Sequence, residues 1–161
     1  MKPIGARLLV ALLFLVSLSL VVDSGCKKEE SAGQKWEREH NFSDPGDDPR
    51  MKTAEAESRR RWPEFVTAFN ERKPNRAYAV KARFVDGKVT EWMWMQVESI
   101  NGNTVTGRVD NDPVDVKNVK LGDRVSKPLA DIDDWIVGDG KTMTGGFTSK
   151  VLQQIESERK K

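Results

Sequence analysis

The chain has 161 residues, which suits one domain with short appendages. It carries 27 Lys and Arg against 25 Asp and Glu, and the two signs are interspersed without a basic stripe, so a nucleic-acid partner is not expected. One cysteine excludes a disulfide within the chain, and one histidine excludes a multi-histidine metal site. A Ser-His-Asp or Cys-His nucleophile would have to use His40, which lies in a polar segment. We therefore predict no catalytic residue of these kinds and no cofactor.

The N-terminal segment has the layout of a bacterial secretory signal. A short basic start at Lys2 and Arg7 leads into an apolar run over residues 8–22, and small residues then precede Cys26. The apolar run is short for a transmembrane helix, which requires about 20 residues. We therefore predict that residues 1–25 are a signal peptide and do not belong to the fold.

The stretch "SGC" that ends at Cys26 resembles the lipobox of bacterial lipoproteins, in which the cysteine is lipidated and becomes the first residue. Asp23 departs from that pattern, because leucine or a similar residue is usual there. The resemblance implies a lipid anchor at Cys26, with a membrane as partner and an extracytoplasmic location. In Gram-negative lipoproteins, an aspartate directly after the lipidated cysteine resembles an inner-membrane retention signal. Lys27 occupies that position here, which favours the outer membrane. A secreted or periplasmic protein and an uncleaved anchor remain alternatives.

Residues 26–48 are polar, contain Gly, Ser and Pro, and show no apolar period. This composition predicts a flexible tether, in which only Trp36 and Phe42 could pack on anything. A coil of this length spans on the order of 25 Å, which is enough to lift a domain off a bilayer. We expect a single folded domain over residues 49–161.

The folded domain begins with strong helix formers. An apolar stripe follows at helical spacing, at Trp62, Phe65, Val66 and Phe69. Pro63 predicts either a kink or two helices, with Pro63 opening the second, because proline lacks the N–H of a helix interior. The arginines at 59–61 are interpreted as a solvated helix face, with an anion-binding patch as the alternative.

Beyond residue 75 the apolar period changes to two, which is typical of strands. Asp86-Gly87 and Asn101-Gly102 favour tight hairpin turns, so strands are predicted at 78–85, 88–100 and 104–109. One or two short strands are expected around Gly122-Asp123. A turn, a short strand and a glycine-rich loop are expected after them.

The chain is expected to close with a short helix. Its apolar side is formed by Val151, Leu152 and Ile155, and Thr148 or Ser149 is the predicted cap. The predicted class is α+β. A curved antiparallel meander, which can approach a half-barrel, is packed by an N-terminal helix and by this short C-terminal helix.

The densest apolar cluster is "WMWM", residues 92–95. Alternate residues of a strand face opposite sides, so Trp92 and Trp94 point one way and the two methionines the other. Apolar residues on both faces are typical of a central strand covered on both sides. We predict a buried position for this cluster rather than a binding platform. The helix around Phe65 is expected to cover one face, and the sheet itself or the C-terminal helix the other.

The segments "VKARF", "EWMW", "GRVDNDP", "VKLGDRV", "IDDW" and "GGFT" follow an Ala-rich helix that runs into Phe65. Their order and spacing resemble the bacterial YegJ-like family, the domain of unknown function 2314, over residues 49–148. Trp92 is a departure, since a smaller or histidine-type residue is usual there. The resemblance implies a compact α+β fold and brings no activity, substrate or catalytic residue.

Acidic residues form the main candidate site. Four aspartates lie near Trp135, namely Asp131, Asp133, Asp134 and Asp139, and Glu91 and Asp123 are expected close by in space. Paired carboxylates can perform acid–base chemistry or bind a hard cation through oxygen atoms. Their spacing does not match an EF-hand loop, so no particular metal is predicted, and the alternative is that they form turns and caps. A second candidate is an aromatic surface formed by Trp92, Trp94 and Trp135.

The sequence supports two main hypotheses of function. The first is a membrane-tethered, non-enzymatic module that binds an unidentified protein or small molecule. The second is an enzyme or cation-binding protein that uses the acidic cluster near Asp134. A purely structural envelope protein is a third hypothesis. The missing nucleophile systems favour the first hypothesis over the second.

Overall fold

The computed structural model describes residues 47–139 and 141–161. These ranges contain three helices, α1 (Pro49–Arg60), α2 (Trp62–Asn70) and α3 (Phe147–Arg159). They contain six strands, β1 (Ala77–Asp86), β2 (Val89–Asn101), β3 (Thr104–Val109), β4 (Arg124–Pro128), β5 (Ile132–Gly138) and β6 (Met143–Gly145). A 3₁₀ turn at Leu129–Asp131 joins β4 to β5. The predicted α+β class is confirmed.

Several predictions fall on the first 46 residues, which lie outside the described ranges. They concern the signal peptide at 1–25, the lipid anchor at Cys26, the tether up to residue 46 and His40. Within the described ranges, no helix has the length and hydropathy needed to cross a bilayer.

Prolines set the helix boundaries before the sheet. Pro49 occupies the first turn of α1, and the Asp48 carboxylate caps that helix by accepting a hydrogen bond from the Arg50 N–H at 2.9 Å. α1 ends before Pro63, which lies in the first turn of α2. The first turn of a helix does not need the N–H that proline lacks, so the chain divides into two helices here. The predicted division, with Pro63 opening the second helix, is confirmed.

The strands form one antiparallel sheet in the order β4-β3-β2-β1-β5-β6. Strands β1 to β3 are joined by the predicted tight turns, in which Gly87 and Gly102 have φ angles of 60° and 56°. The irregular segment 110–123 leads to β4, and β5 then returns to pair with the opposite side of β1. The glycine-rich segment expected to be a loop instead contains β6, because it pairs with β5 as an edge strand.

The link from β4 to β5 shows how strongly the sheet curls. Four inter-strand steps separate these strands in the sheet, which would place them about 19 Å apart if the sheet were flat. Only Leu129–Asp131 joins them, a span of at most about 15 Å. Accordingly, the Lys127 ammonium of β4 reaches β1, where it donates to the Arg83 carbonyl oxygen at 2.7 Å and lies 3.8 Å from the centre of the Phe84 ring. The sheet is a curved, open half-barrel.

The main core lies between α2 and one face of this sheet. Met93 and Met95 of β2 and Trp135 of β5 are at most 1% exposed, and they belong to one cluster with Phe65 and Phe69 of α2. Burial of a large apolar side chain contributes roughly 2–3 kcal/mol, so this cluster supplies much of the stability of a small domain. The predicted cover of this face by the helix around Phe65 is confirmed.

The opposite face of the sheet carries a smaller apolar cluster. Trp94 packs there with Ala79 and Ile136 and is 1% exposed, so the predicted alternation along β2 is confirmed. Trp92 is on the same face but is 39% exposed, and the prediction that it lies in a dry interior is wrong. The reason is its position beyond this cluster, where its partner across the strands is Arg83 rather than an apolar residue.

Gly145, the last residue of β6, cannot be replaced by a residue with a side chain without strain. Its φ angle is 87°, which lies in the left-handed region. A Cβ atom there would collide with the Trp135 carbonyl oxygen and lie 2.7 Å from Cε3 of the Trp135 ring. Glycine is therefore required for β6 to turn into α3 against Trp135.

We expect Gly145→Ala to lower the free energy of unfolding by about 3 kcal/mol or more, because strain and collision add. Urea denaturation measures this loss. Gly87→Ala is the matched control, since Gly87 has a φ angle of 60° but no atom within 4 Å of the position that a Cβ would take, and only about 1 kcal/mol of backbone strain is expected. Equal losses in the two variants would contradict the collision.

Candidate functional site

Glu91 fixes the irregular segment 110–123 against β2. Its two carboxylate oxygens accept hydrogen bonds from the N–H groups of Val114, Asp115 and Val116, at 2.9, 2.9 and 3.1 Å. Burial raises the pKa of Glu91, but the three backbone donors outweigh it and hold the pKa below its usual value. The contacts place Val116 in the main core at 1% exposure. Glu91 therefore anchors a long connection.

Asp123 and Asp131 have local partners. The Asp123 carboxylate accepts a hydrogen bond from the Lys120 N–H at 3.0 Å, which is the turn chemistry considered as the alternative. Asp131 forms an ion pair with Arg83 at 3.0 Å on the surface of the curled sheet. The remaining aspartate of the group, Asp139, closes a turn by accepting from the Thr142 N–H at 2.8 Å. These three side chains are engaged separately.

Asp134 is fully buried and joins β5 to α3. One carboxyl oxygen accepts from the Trp135 N–H at 2.8 Å, and the other accepts from both the N–H and the hydroxyl of Thr148, each at 2.8 Å. The N-cap position of α3 is Gly146, which has no side chain to offer. The predicted cap by Thr148 or Ser149 is therefore wrong. Asp134 of the neighbouring strand β5 supplies the cap instead, and Thr148 donates hydrogen bonds to its carboxyl group.

Further contacts between the same two elements complete what we call the clasp, formed by Asp134, Trp135, Gly146, Phe147 and Thr148. The Gly146 N–H donates to the Trp135 carbonyl oxygen at 2.9 Å. The rings of Trp135 and Phe147 meet edge to face with centres 5.4 Å apart. The "IDDW" and "GGFT" segments thus contact each other.

Asp133 is the acidic side chain with the most perturbed surroundings. It is 4% exposed, and its Oδ1 has no hydrogen-bond partner within the described residues. Burial raises the pKa of Asp133 to about 7, and the nearby charges of Glu55 and Asp134 add to the rise while Lys81 and Arg59 oppose it. Asp133 is therefore largely protonated below neutral pH, which is unusual for an aspartate.

The five acidic candidates do not form one cluster in the described part of the chain. In residues 47–139 and 141–161, no three His, Cys, Asp or Glu side chains are grouped so that they could hold a metal ion. Asp133 and Asp134 are adjacent, whereas Glu91, Asp123 and Asp131 have separate partners. A cation or acid–base site at Asp133 and Asp134 stays a prediction.

The three tryptophans of the second candidate site have different environments. Trp94 and Trp135 are each 1% exposed, and the Trp135 indole N–H donates to the Ser58 carbonyl oxygen of α1 at 3.0 Å. The Trp94 indole N–H is buried and lacks a hydrogen-bond partner in the described ranges. Trp92 is the member of the set with substantial solvent exposure, and it lies beside Arg83. The structure does not bring these side chains together as one surface.

A cavity that the sequence did not predict lies where the helices meet the β4–β5 link. Its volume is about 470 Å³. It is lined by Ser58, Arg59, Trp62, Asn103, Pro128, Leu129, Ala130 and Ile132. The lining comes from α1, α2, the β2–β3 turn, the end of β4, the link and the start of β5, which the curl of the sheet brings close together. Of the residues that line the cavity, sequence patterns had singled out only two, Trp62 in the apolar stripe and Arg59 in the run of arginines.

The comparisons with known proteins agree with the motif segments. A family model described as an uncharacterised protein conserved in bacteria, DUF2314, matches residues 48–161. The chain belongs to the DUF2314 family. It is 34% identical to a putative ankyrin repeat protein of Neisseria meningitidis serogroup B over 76 residues, which are 46% of this chain and 30% of that protein. It is 30% identical to the uncharacterised protein YegJ of Escherichia coli K12 over 98 residues, which are 61% of this chain and 63% of YegJ.

The chain thus spans less than two thirds of the length of either of these relatives. No solved structure matches it. The predicted resemblance to the YegJ-like family is confirmed by the family match.

The DUF2314 motif residues hold the fold together. Asn111 of "GRVDNDP" accepts a hydrogen bond from the Trp94 N–H at 2.8 Å, which continues the bonding of β2 past the end of β3. Gly107 of the same segment allows close approach, because a Cβ there would collide with the Gln96 carbonyl oxygen. Together with Glu91 and the clasp, these contacts account for the motifs in terms of structure.

We expect Asp134→Ala to lower the free energy of unfolding by about 3–4 kcal/mol, because it leaves buried donors on Thr148 and Trp135 without an acceptor. Thermal and urea denaturation measure the loss. Asp131→Ala is the control, and its loss should stay below about 1 kcal/mol because its ion pair with Arg83 is solvent-exposed. A similarly small loss for Asp134→Ala would show that the clasp is dispensable.

We expect Asp133→Asn to stabilise the protein at pH 8 and to change little at pH 4. The unfolded carboxyl releases its proton near pH 3.8 and the folded one near 7, so folding becomes less favourable as the pH rises between these values. The asparagine variant escapes this loss, which is on the order of 4 kcal/mol above pH 7, because each unit of pKa difference corresponds to about 1.4 kcal/mol. Urea denaturation of both proteins at pH 4, 6 and 8 tests it. A stability difference that does not vary with pH would contradict the assignment.

Proposed function

We propose that this DUF2314 protein is a lipid-anchored, non-enzymatic binding module on the extracytoplasmic side of a bacterial membrane. The basic and apolar N-terminal segment and the "SGC" stretch at Cys26 support the export and the anchor. The polar residues 26–48 support a tether, and the family match begins where that segment ends, at residue 48. This arrangement suits a folded domain carried at a distance from the bilayer.

The use of the motif side chains favours binding over catalysis. The carboxyl groups of Glu91, Asp123 and Asp134 all accept hydrogen bonds from backbone N–H groups. A general acid or base must instead be free to exchange a proton with a substrate. His40, the single histidine, lies outside the segment that matches the family. The hydrogen bonds of these three carboxyl groups are thus explained by their roles in the fold.

The cavity at the β4–β5 link is the observation that carries the binding role. Its volume of about 470 Å³ is typical of small-molecule sites, which measure roughly 300–1,000 Å³. Apolar side chains with a few polar groups form its lining, as in such sites. The similarity to a putative ankyrin repeat protein over 30% of that protein's length gives further support, because ankyrin repeats commonly form binding surfaces.

We expect the full-length protein to incorporate labelled palmitate in a bacterial host and to sediment with membranes. Cys26→Ser should lose the label, since no other cysteine is present to carry the acyl chain. Ser24→Ala is the matched control, because it changes a small residue two positions before Cys26 and keeps the thiol. Wild-type protein that carries no label and is recovered free in the periplasm would remove the anchor from the proposal.

A further inference from the structure

The cavity has a strongly apolar interior. Trp62 of α2, Leu129 of the link and Ile132 of β5 provide its largest apolar side chains. Ile132 belongs to the main core at 3% exposure, whereas Trp62 and Leu129 are half-buried and pack at the edge of that core. A ligand in this cavity would therefore cover apolar surface that is contiguous with the core, which favours an apolar body.

Arg59 adds a positive charge to this apolar lining. Its side chain is more than half exposed, and its guanidinium forms an ion pair with the Glu55 carboxylate at 3.8 Å, which is too long for a hydrogen bond. The next two arginines differ, because Arg60 and Arg61 pair with their own glutamates at 2.7 and 2.6 Å. Arg59 thus keeps donors available at the cavity, while its neighbours do not face it.

Other polar groups in the lining are few and neutral. Ser58 and Asn103 are the uncharged polar residues of the lining. The Ser58 carbonyl oxygen already accepts a hydrogen bond from the Trp135 indole N–H, and Asn103 has an amide side chain. Asp133 is also near Arg59, but burial raises its pKa to about 7, so below neutral pH it does not neutralise the guanidinium. The lining therefore has one charged group, and that group is a cation with planar, paired donors suited to a carboxylate.

We propose that the cavity binds a small anionic amphiphile, with a single apolar chain or ring against Trp62, Leu129 and Ile132 and a carboxylate paired with Arg59. This inference rests on the proposed binding function and adds the chemical class of the ligand. The charge complementarity selects an anion over a neutral or cationic molecule of the same shape. The volume of the cavity selects a small single-chain molecule.

The test compares two ligands that share an eight-carbon chain and differ in the charge of the head group, octanoate and 1-octanol, by isothermal titration calorimetry at pH 6.5. The Cys26→Ser protein produced without residues 1–25 serves as parent, because it carries neither the acyl chain nor the apolar N-terminal run and so needs no detergent that would fill the cavity. Octanoate should bind roughly tenfold more tightly than 1-octanol, as expected for one charge-assisted pair. Arg59→Gln should abolish the preference, whereas Arg60→Gln, the matched control one residue away, should keep it.

Ala130→Trp identifies the site, because Ala130 is exposed and lines the cavity, so a bulky side chain can fill the cavity without entering the core. This variant should weaken both ligands at least tenfold while its melting temperature stays near that of the parent. Equal affinities for octanoate and 1-octanol overturn the anionic ligand and leave the cavity as a binding site. Absence of binding by both ligands, or binding that Ala130→Trp leaves intact, overturns the use of this cavity altogether.

Discussion

The position of α3 on the sheet depends on the buried carboxyl group of Asp134. Burial of such a group is unfavourable unless its oxygens are hydrogen-bonded, and here two N–H groups and a hydroxyl provide that compensation. Thr148 belongs to the first turn of α3, so the same contact satisfies donors that a helix cannot satisfy by itself. The carboxyl group thus fixes where α3 begins. With α3 fixed, Phe147 meets the Trp135 ring, and the opposite end of α3 is held by the ion pair between Glu158 and Arg50 of α1.

The curl of the sheet is the second constraint, and the cavity is its consequence. Because only three residues connect β4 to β5, the outer strand β4 is drawn towards β1. The Lys127 ammonium of β4 therefore donates a hydrogen bond to the Arg83 carbonyl oxygen of β1. Burial lowers the pKa of Lys127, although the charge of Asp131 opposes this shift. The sheet remains open, so the link lies at an unpaired margin, and the junction of α1 and α2 covers it incompletely. The uncovered volume is the cavity that contains Arg59 and Trp62.

Local rules in the sequence were sufficient for most of the elements, though not for β6 or the cap of α3, and they were insufficient for the site. The turns at Gly87 and Gly102, the helix break at Pro63 and the alternation along β2 depend on neighbouring residues, so pattern alone predicts them. The exposure of Trp92 depends on what covers the second face, which alternation does not reveal. The cap of α3 comes from a residue fourteen positions earlier, and the cavity lining extends over a still longer separation. Contacts of that kind depend on how the elements pack in three dimensions, which no local signal encodes.

Asp133 and Asp134 show how far environment outweighs residue type. They are adjacent and chemically identical, and both are almost completely buried. Asp134 meets three donors, whereas one oxygen of Asp133 has none among the described residues and faces the charge of Glu55. One is therefore a structural cap, and the other is a carboxyl group that gains from keeping its proton until about pH 7. Groups in that state commonly mark sites under functional constraint, and this one lies beside the helix that contributes Arg59 to the cavity. The carboxyl group with an unsatisfied oxygen and the guanidinium of Arg59 thus lie near each other where α1 meets β5, although Asp133 itself does not line the cavity.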